Sequence, residues 1–266
     1  MEEVLNNLEV NHNLRQKDWV GLFLKNLQEE KPSLWIEEER KLGQLGLYFP
    51  ELVACFSVQQ NRFHRYDVYY HLIYSCDAAP KNSLTLRLSA LFHDIGKALT
   101  QKKVGEEYAF YNHEIKSTEI AYEVLNRWEV PLSLIKKVTL LVRYHMFHYQ
   151  DFWTDSAVRR LIRKVGIQNI EDLFLLRVAD REGNGFRQGE PLKLKDFRQR
   201  IQDILKEEKK FKITDLKING QDLIALGIKP SPKMGEILKI LHQEVEKKAL
   251  ENFKETLKEE VKKRFL

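Results

Sequence analysis

Apolar residues recur three and four positions apart along most of this chain, the spacing of one face of a helix. Trp19, Leu22, Phe23 and Leu27 form the first such run. Pro32 and Ser33 restart the chain, with Ser33 placed to cap and Glu37 to Glu39 at the favourable end of the dipole. Gly46 reads as a helix stop and Pro50 as the next start. A central helix is expected over 82–97, capped by Asn82 or Ser83 and lined by Leu84, Leu88, Leu91 and Phe92. The segment from Thr100 to Phe110, with Gly105 and several charges, reads as a loop and as a candidate rim for a site. His113-Glu114 opens a helix backed by Ile115, Ile120, Val124 and Leu125, and Val130-Pro131 starts another that runs to Tyr144-His145. Asp155 to Gly166 carries its own cap and glycine stop. Asn169 opens a helix whose apolar face, Ile170, Leu173, Phe174 and Val178, leads to Asp180, and Gly183-Asn-Gly-Phe ends it. Past Pro191 the composition turns to Lys, Glu and Arg, and Asp203 to Lys210 reads as a solvated helix. Ser231 and Pro232 start a final helix, in which Ile237, Leu241, Val245, Phe253, Leu257 and Val261 keep the period to the C-terminus.

The fold class is therefore all-α: a helical bundle with N-terminal and C-terminal helical extensions. Composition agrees with it. The 266 residues include only 12 Gly and 7 Pro, which leaves little room for turns, and a charged content of 31% suits long solvated helices. A hydrophobic content of 43% is enough for a core. Three regions are expected: 1–60, 61–190 and 191–266. Cys55 and Cys76 lie in apolar surroundings without a C-x-x-C partner, which implies no disulfide framework and fits a reducing cytoplasm. Met1 to Asn7 is polar and mildly acidic, unlike a signal peptide, and no apolar run is long enough to span a membrane. The net charge of +5 permits an acidic substrate such as a nucleotide or RNA, and equally an ordinary basic surface.

Chemistry concentrates in Leu88-Ser-Ala-Leu-Phe-His-Asp-Ile-Gly-Lys97. Adjacent His93 and Asp94 point about 100° apart on a helix, so both reach one ion only at the helix end. Imidazole with carboxylate suits first-row transition metals better than calcium. Lys97 lies one turn on, near enough to touch an anion held by that ion. His71, His113, His145 and Asp180 each sit in or at the end of an apolar-periodic segment, and Asp180 would be costly at a buried helix end without a cation. A salt bridge to Arg177 or Arg181 is the plainer account of Asp180. His148, i+3 from His145, shares its helix face and is a secondary candidate.

In this order, with H-D-x-G-K in the middle, the residues resemble the HD-domain superfamily of metal-dependent phosphohydrolases. The resemblance implies that His71, His93, Asp94 and Asp180 hold a first ion. His113 and His145 would complete a second site with shared Asp94, and Lys97 would bind a phosphate oxygen. Arg181 is a weaker phosphate candidate. His64 is expected to shape the loop before the His71 helix or to bind phosphate, and Asp67 to cap that helix or to support a ligand from behind rather than to bind the ion itself.

A narrower likeness spans nearly the whole chain from about residue 15. The stretch LGQLGLYFPELVACFSVQQNRFHRYDVYYHLIYS resembles the neck of bacterial tRNA nucleotidyltransferases (CCA-adding enzymes) that carry an HD domain. Asn61, His64, Tyr66, Asp67, Val68 and His71 match, and Leu72 departs. Ile213 to Leu238 is similar to the tail of that family, with Ser231 where glycine is usual. The family's catalytic head has a Gly-Gly motif and paired carboxylates. There is no Gly-Gly pair here, and 1–60 contains a single Asp, Asp18. Nucleotide addition by this chain alone is not expected, and either a free-standing protein or a split or truncated gene would explain it.

The resemblance implies hydrolysis of phosphomonoesters or phosphodiesters of nucleotides or RNA ends, with one or two divalent ions (Mn, Ni, Co, Fe, Zn or Mg). Two alternatives stand beside it. One is a non-catalytic tRNA-binding partner of a separate nucleotidyltransferase subunit. The other is a hydrolase of dinucleotides.

Overall fold

The computed structural model describes residues 15–147, 149–150, 152–209, 213–247 and 249–266. The chain divides into two compact units, one ending at Arg198 and one starting at Gln199. The expected boundaries at 60/61 and 190/191 both fall inside the first unit. Among the described residues the fold is helical except for one two-stranded sheet.

The first unit opens with helix α1 (15–26), α2 (Pro32–Lys41), α3 (Gln44–Tyr48) and α4 (Pro50–Val53). Trp19, Phe23 and Leu27 of the predicted run are buried, whereas Leu22 faces solvent. An aromatic cluster ties this segment to the later helices of the unit. Phe23, Phe49 and Trp128 meet edge to face with centroids 5.0 to 6.0 Å apart, and Phe49 lies 5.2 Å from Phe92. Such pairs add to the area they bury. Trp128 also donates to the Tyr48 carbonyl at 3.3 Å.

Two local expectations here are overturned. Ser33 is not a cap: α2 starts at Pro32, and Ser33 donates from its backbone N–H and hydroxyl to Asp77 at 2.9 and 2.6 Å. A long-range carboxylate outcompetes the local turn. Gly46 lies inside α3, and the residue with left-handed backbone is Gly43 at φ 78°.

The functional half is built on α5 (Val68–Ala78), α6 (Leu84–Phe92), the one-turn α7 (Lys97–Thr100), α8 (His113–Arg127), α9 (Leu132–Tyr144), α10 (Asp155–Val165) and α11 (Ile170–Gly183). Asp67 caps α5 as expected, accepting from Tyr70 N–H at 2.8 Å, and Ser83 caps α6 by accepting from Leu86 N–H at 3.3 Å. Thr154 rather than Asp155 caps α10. The α5 and α11 helices cross so closely that a Cβ on Gly183 would collide with Ser75 Oγ and reach its backbone N at 2.5 Å.

Two departures matter for the site. The expected helix over 82–97 stops at Phe92, so His93 and Asp94 sit in the turn at its C-cap. Gly96 then allows α8 to pass over the turn: its N–H donates to Ser117 Oγ at 2.9 Å, and a Cβ there would meet Ser117 N at 2.5 Å. The expected loop from Thr100 to Phe110 is a hairpin, β1 (Gln101–Val104) paired antiparallel with β2 (Glu107–Phe110), turning at Gly105 with φ 61°.

Within the first unit, the start of helix α12 (Leu192–Lys209) carries Phe197, stacked on Tyr149 at 4.1 Å. The second unit holds α13 (Gly220–Ala225), α14 (Pro232–Glu246) and α15 (Lys254–Phe265) around Leu223, Ile237, Leu241, Leu257 and Val261. A capping box between Asn219 and Asp222 starts α13. The single final helix expected from periodicity is two helices. Asn252 breaks it by accepting from Lys217 N–H at 2.9 Å and donating to the Asp215 carbonyl at 3.0 Å, which leaves Phe253 exposed.

Candidate metal centre

Each candidate side chain leaves the end of an element. His71 comes from α5, His93 and Asp94 from the turn after α6, and His113 from the first turn of α8. His145 caps α9, and Asp180 lies in the last turn of α11. All six meet at one place. His71 Nε2 lies 3.1 Å from His93 Nε2, 3.3 Å from Asp94 Oδ2 and 3.4 Å from Asp180 Oδ1. His93 Nε2 lies 3.4 and 3.6 Å from the same two oxygens. The other oxygen of Asp94 faces a second group: Oδ1 is 3.1 Å from His113 Nε2 and 3.4 Å from His145 Nε2, which are 3.4 Å apart. Asp94 thus belongs to both groups, one oxygen to each.

The tautomers follow from the backbone. His93, His113 and His145 direct Nδ1 at the carbonyls of Ala90, Phe110 and Val142, at 2.7, 2.8 and 2.7 Å. With Nδ1 as donor, each neutral ring turns a bare Nε2 lone pair toward the carboxylates. The lone-pair atoms therefore crowd together inside the protein, and Asp94 Oδ1 is buried without a hydrogen bond although two imidazoles face it. Converging lone pairs repel unless a cation lies between them. Neighbouring donors around an ion bound at 2.0–2.2 Å are about 2.8–3.6 Å apart, which these separations fit. The groups His71–His93–Asp94 and Asp94–His113–His145 could each hold a metal ion.

The charge balance points the same way. Burial works against charge on His93, but the Asp94 and Asp180 carboxylates outweigh it and push the imidazole up to about 10. Burial also opposes ionisation of the two carboxyls. Lys97 and His93 nevertheless hold Asp94 well below the usual range, and His71 and His93 do the same for Asp180. Burial pushes His145 down despite Asp94. The cluster calls for positive charge, which a proton on His93 provides in part and a metal ion would supply in its place.

The other predicted residues fall around this core. Lys97, only 6% exposed, puts Nζ 2.5 Å from Asp94 Oδ2 and 2.7 Å from Gln60 Oε1, so the lysine serves Asp94 first. Arg177, the plainer partner for Asp180, binds its Oδ2 at 3.1 Å and leaves Oδ1 to the histidines. Arg181 lines the cavity with its Nε unpaired. His64 donates from Nδ1 to Asn61 Oδ1 at 2.9 Å and sits edge-on to His71 at 5.3 Å, and burial drives it down to about 3. His148 lies outside the described residues.

A cavity of about 630 Å³ opens over the cluster. Phe63, Tyr108, Phe110, Tyr111 and Tyr149 form apolar walls, and Arg177, Arg181, Arg187 and Lys193 bring positive charge. Sequence reasoning put the Thr100–Phe110 segment at the rim of the site, where Tyr108 and Phe110 do line the cavity, without singling out those aromatics, and it missed Gln60, Asn184 and Arg187 as site residues. Asn184 Nδ2 donates to the Phe63 carbonyl at 2.8 Å and pins the loop that carries His64. The polar run Gln59-Gln60-Asn61 was the available signal for that loop.

Fold and site thus define an all-α protein with a paired His/Asp centre in a cationic, aromatic cavity. The chain belongs to the family described as tRNA nucleotidyltransferase domain 2, putative, which matches residues 102–261. That match takes in His113, His145 and Asp180. The chain is 28% identical over 236 residues to an A-adding tRNA nucleotidyltransferase of Deinococcus radiodurans, covering 85% of this chain and 53% of that protein. It is 30% identical over 213 residues to a CC-adding tRNA nucleotidyltransferase of Thermus thermophilus, covering 76% and 46%. A multifunctional CCA protein of Mannheimia succiniciproducens matches at 28% over 179 residues, 62% and 42% of the two chains. The chain spans about half the length of the curated relatives it matches. Among the described residues no helix is long and apolar enough to cross a membrane.

Proposed function

We propose that this chain is a metal-dependent phosphoesterase acting on nucleotides or RNA ends, in keeping with relatives that act on tRNA. The observation that carries this reading is the sharing of Asp94: a group of four donors and a group of three, the latter leaving a position open, meet under a cavity large enough for a nucleotide. A bound divalent ion, Mn, Ni, Co, Fe, Zn or Mg, would supply Lewis acidity toward a phosphoryl oxygen and acidify a water. The protein does the rest. Ala90, Phe110 and Val142 carbonyls fix three imidazoles with Nε2 inward. Lys97 keeps Asp94 ionised and adds positive charge beside the anion. Arg177 orients Asp180, while Arg181 and Arg187 attract phosphate oxygens. Phe63, Tyr108 and Phe110 offer faces to a base.

The test is metal analysis of purified protein beside a phosphoester panel: 2′,3′-cyclic nucleotides, 2′- and 3′-nucleotides, dinucleotides and a chromogenic diester, each with Mn, Ni, Co or Mg. Turnover that stops on chelation and returns with metal supports the reading. Metal-loaded protein with no turnover on any member sinks it. A second reading, a tRNA-binding partner of a separate nucleotidyltransferase subunit, is favoured by the family match running through both compact units. Salt-dependent tRNA binding without hydrolysis would be its mark.

A further inference from the structure

A second concavity of about 370 Å³ adjoins the main one and shares Met146 and Phe147 with it. It lies between α9 and α10, with Arg143, Trp153, Arg160 and Lys164 on its walls. We propose that the substrate is a single-stranded polynucleotide whose chain continues from the main cavity into this groove, where Arg160 and Lys164 receive a backbone phosphate and Trp153 backs a base. The proposal rests on the phosphoesterase reading and narrows its substrate from a mononucleotide to a strand end.

Three observations carry it. Helix α10 reads Asp-Ser-Ala-Val-Arg-Arg-Leu-Ile-Arg-Lys-Val: it buries Val158, Leu161 and Val165 and turns Arg160, Arg163 and Lys164 outward. Four cations against one carboxylate is more charge than solubility of a single face needs, and its complement is a polyanion. Within the groove the charge is mixed, since Glu114 pairs with Arg143 at 3.2 Å, but that pair is neutral and Arg160 and Lys164 leave the groove net positive. Trp153 is half-buried and held by Tyr149 and Phe197, with centroids 6.0 and 5.9 Å away, so its ring is a fixed wall rather than a loose side chain. A fixed aromatic beside paired cations is how sequence-tolerant sites hold single strands. A mononucleotide seated over Asp94 would use none of these residues. A strand has further phosphates and bases to offer them, and Met146 and Phe147 form the continuous floor.

The test uses the full chain and fluorescence anisotropy with two probes: a labelled phosphorothioate oligouridylate of about ten nucleotides and a labelled uridine monophosphate. Arg160→Glu with Lys164→Glu should weaken oligonucleotide binding about tenfold or more and lower the salt slope by about 1.4, from two phosphate contacts on a single strand. Mononucleotide affinity should stay within about twofold, which also reports an intact fold. The same charge change placed off α10 and outside both cavities, Lys25→Glu with Lys136→Glu, should cost the oligonucleotide far less. Unchanged oligonucleotide affinity in the groove variant, or an equal loss in the control variant, overturns the proposal. Strand binding that depends on the groove in a protein without turnover leaves this inference standing and removes only the hydrolase reading.

Discussion

Replacing Gly96 by alanine tests whether the approach of α8 to the H-D-x-G-K turn sets the geometry of the centre. An added Cβ would lie 2.5 Å from Ser117 N and 2.6 Å from the His113 carbonyl oxygen, both backbone atoms of one helix. Ordinary contact begins at 3.4 Å, so the turn and α8 must separate by roughly 0.9 Å at that point. Asp94 is two residues before the turn glycine, and His113 carries one of the struck atoms. The displacement therefore acts directly on the 3.1 Å separation between Asp94 Oδ1 and His113 Nε2. Overpacking of this kind costs about 1–3 kcal/mol. At about 2–4 °C per kcal/mol for a chain of this size, Tm should fall by about 2–12 °C. A misplacement near 1 Å can lower turnover about a hundredfold. Gly21→Ala in α1 is the control. Nothing lies within 4 Å of its Cβ position, so it should be neutral or stabilise by about 0.5–1 kcal/mol. The assays are thermal melting, metal stoichiometry by mass spectrometry and phosphoester turnover. A Gly96→Ala protein with unchanged Tm and undiminished metal content would refute the reasoning.

Three further outcomes are expected. Asp94→Asn removes the charge common to both groups at nearly constant shape. Metal content should fall at both, with activity lost, and a loaded, active variant would show that Asp94 does not ligate. In chelated protein, His93 is pushed above its unfolded value of about 6.5. Its contribution to stability is thus full below that value and fades as pH rises toward about 10, whereas the depressed Asp94 and Asp180 contribute above about 4 and lose their share in acid. Added metal competes with protons for the imidazoles, so its stabilising increment in Tm should instead grow from pH 6 to 8, and a flat increment would contradict a histidine site. Asn184→Ala leaves the Phe63 carbonyl unpaired at a cost of about 1–3 kcal/mol, which should speed tryptic cleavage after the exposed Arg62 and Arg65; an unchanged rate would show that the loop is held by other contacts.

The periodicity of apolar positions determined most of the helices, because helical hydrogen bonds are local and the buried stripe repeats every three to four residues. The order of His71, His93, Asp94, His113, His145 and Asp180 was likewise written in the chain, as was the Asp67 cap. Only the tertiary structure decided where those side chains go. It placed one oxygen of Asp94 with each donor group and set Lys97 on Asp94 and Gln60 instead of toward open space. It folded Thr100 to Phe110 into a hairpin whose aromatics line the cavity, and it divided the last helix at Asn252. It also took Ser33 from its helix start to Asp77. Each of these depends on a partner far away in sequence, and local propensity carries no information about which distant group will satisfy a carbonyl, a carboxylate or an unpaired edge.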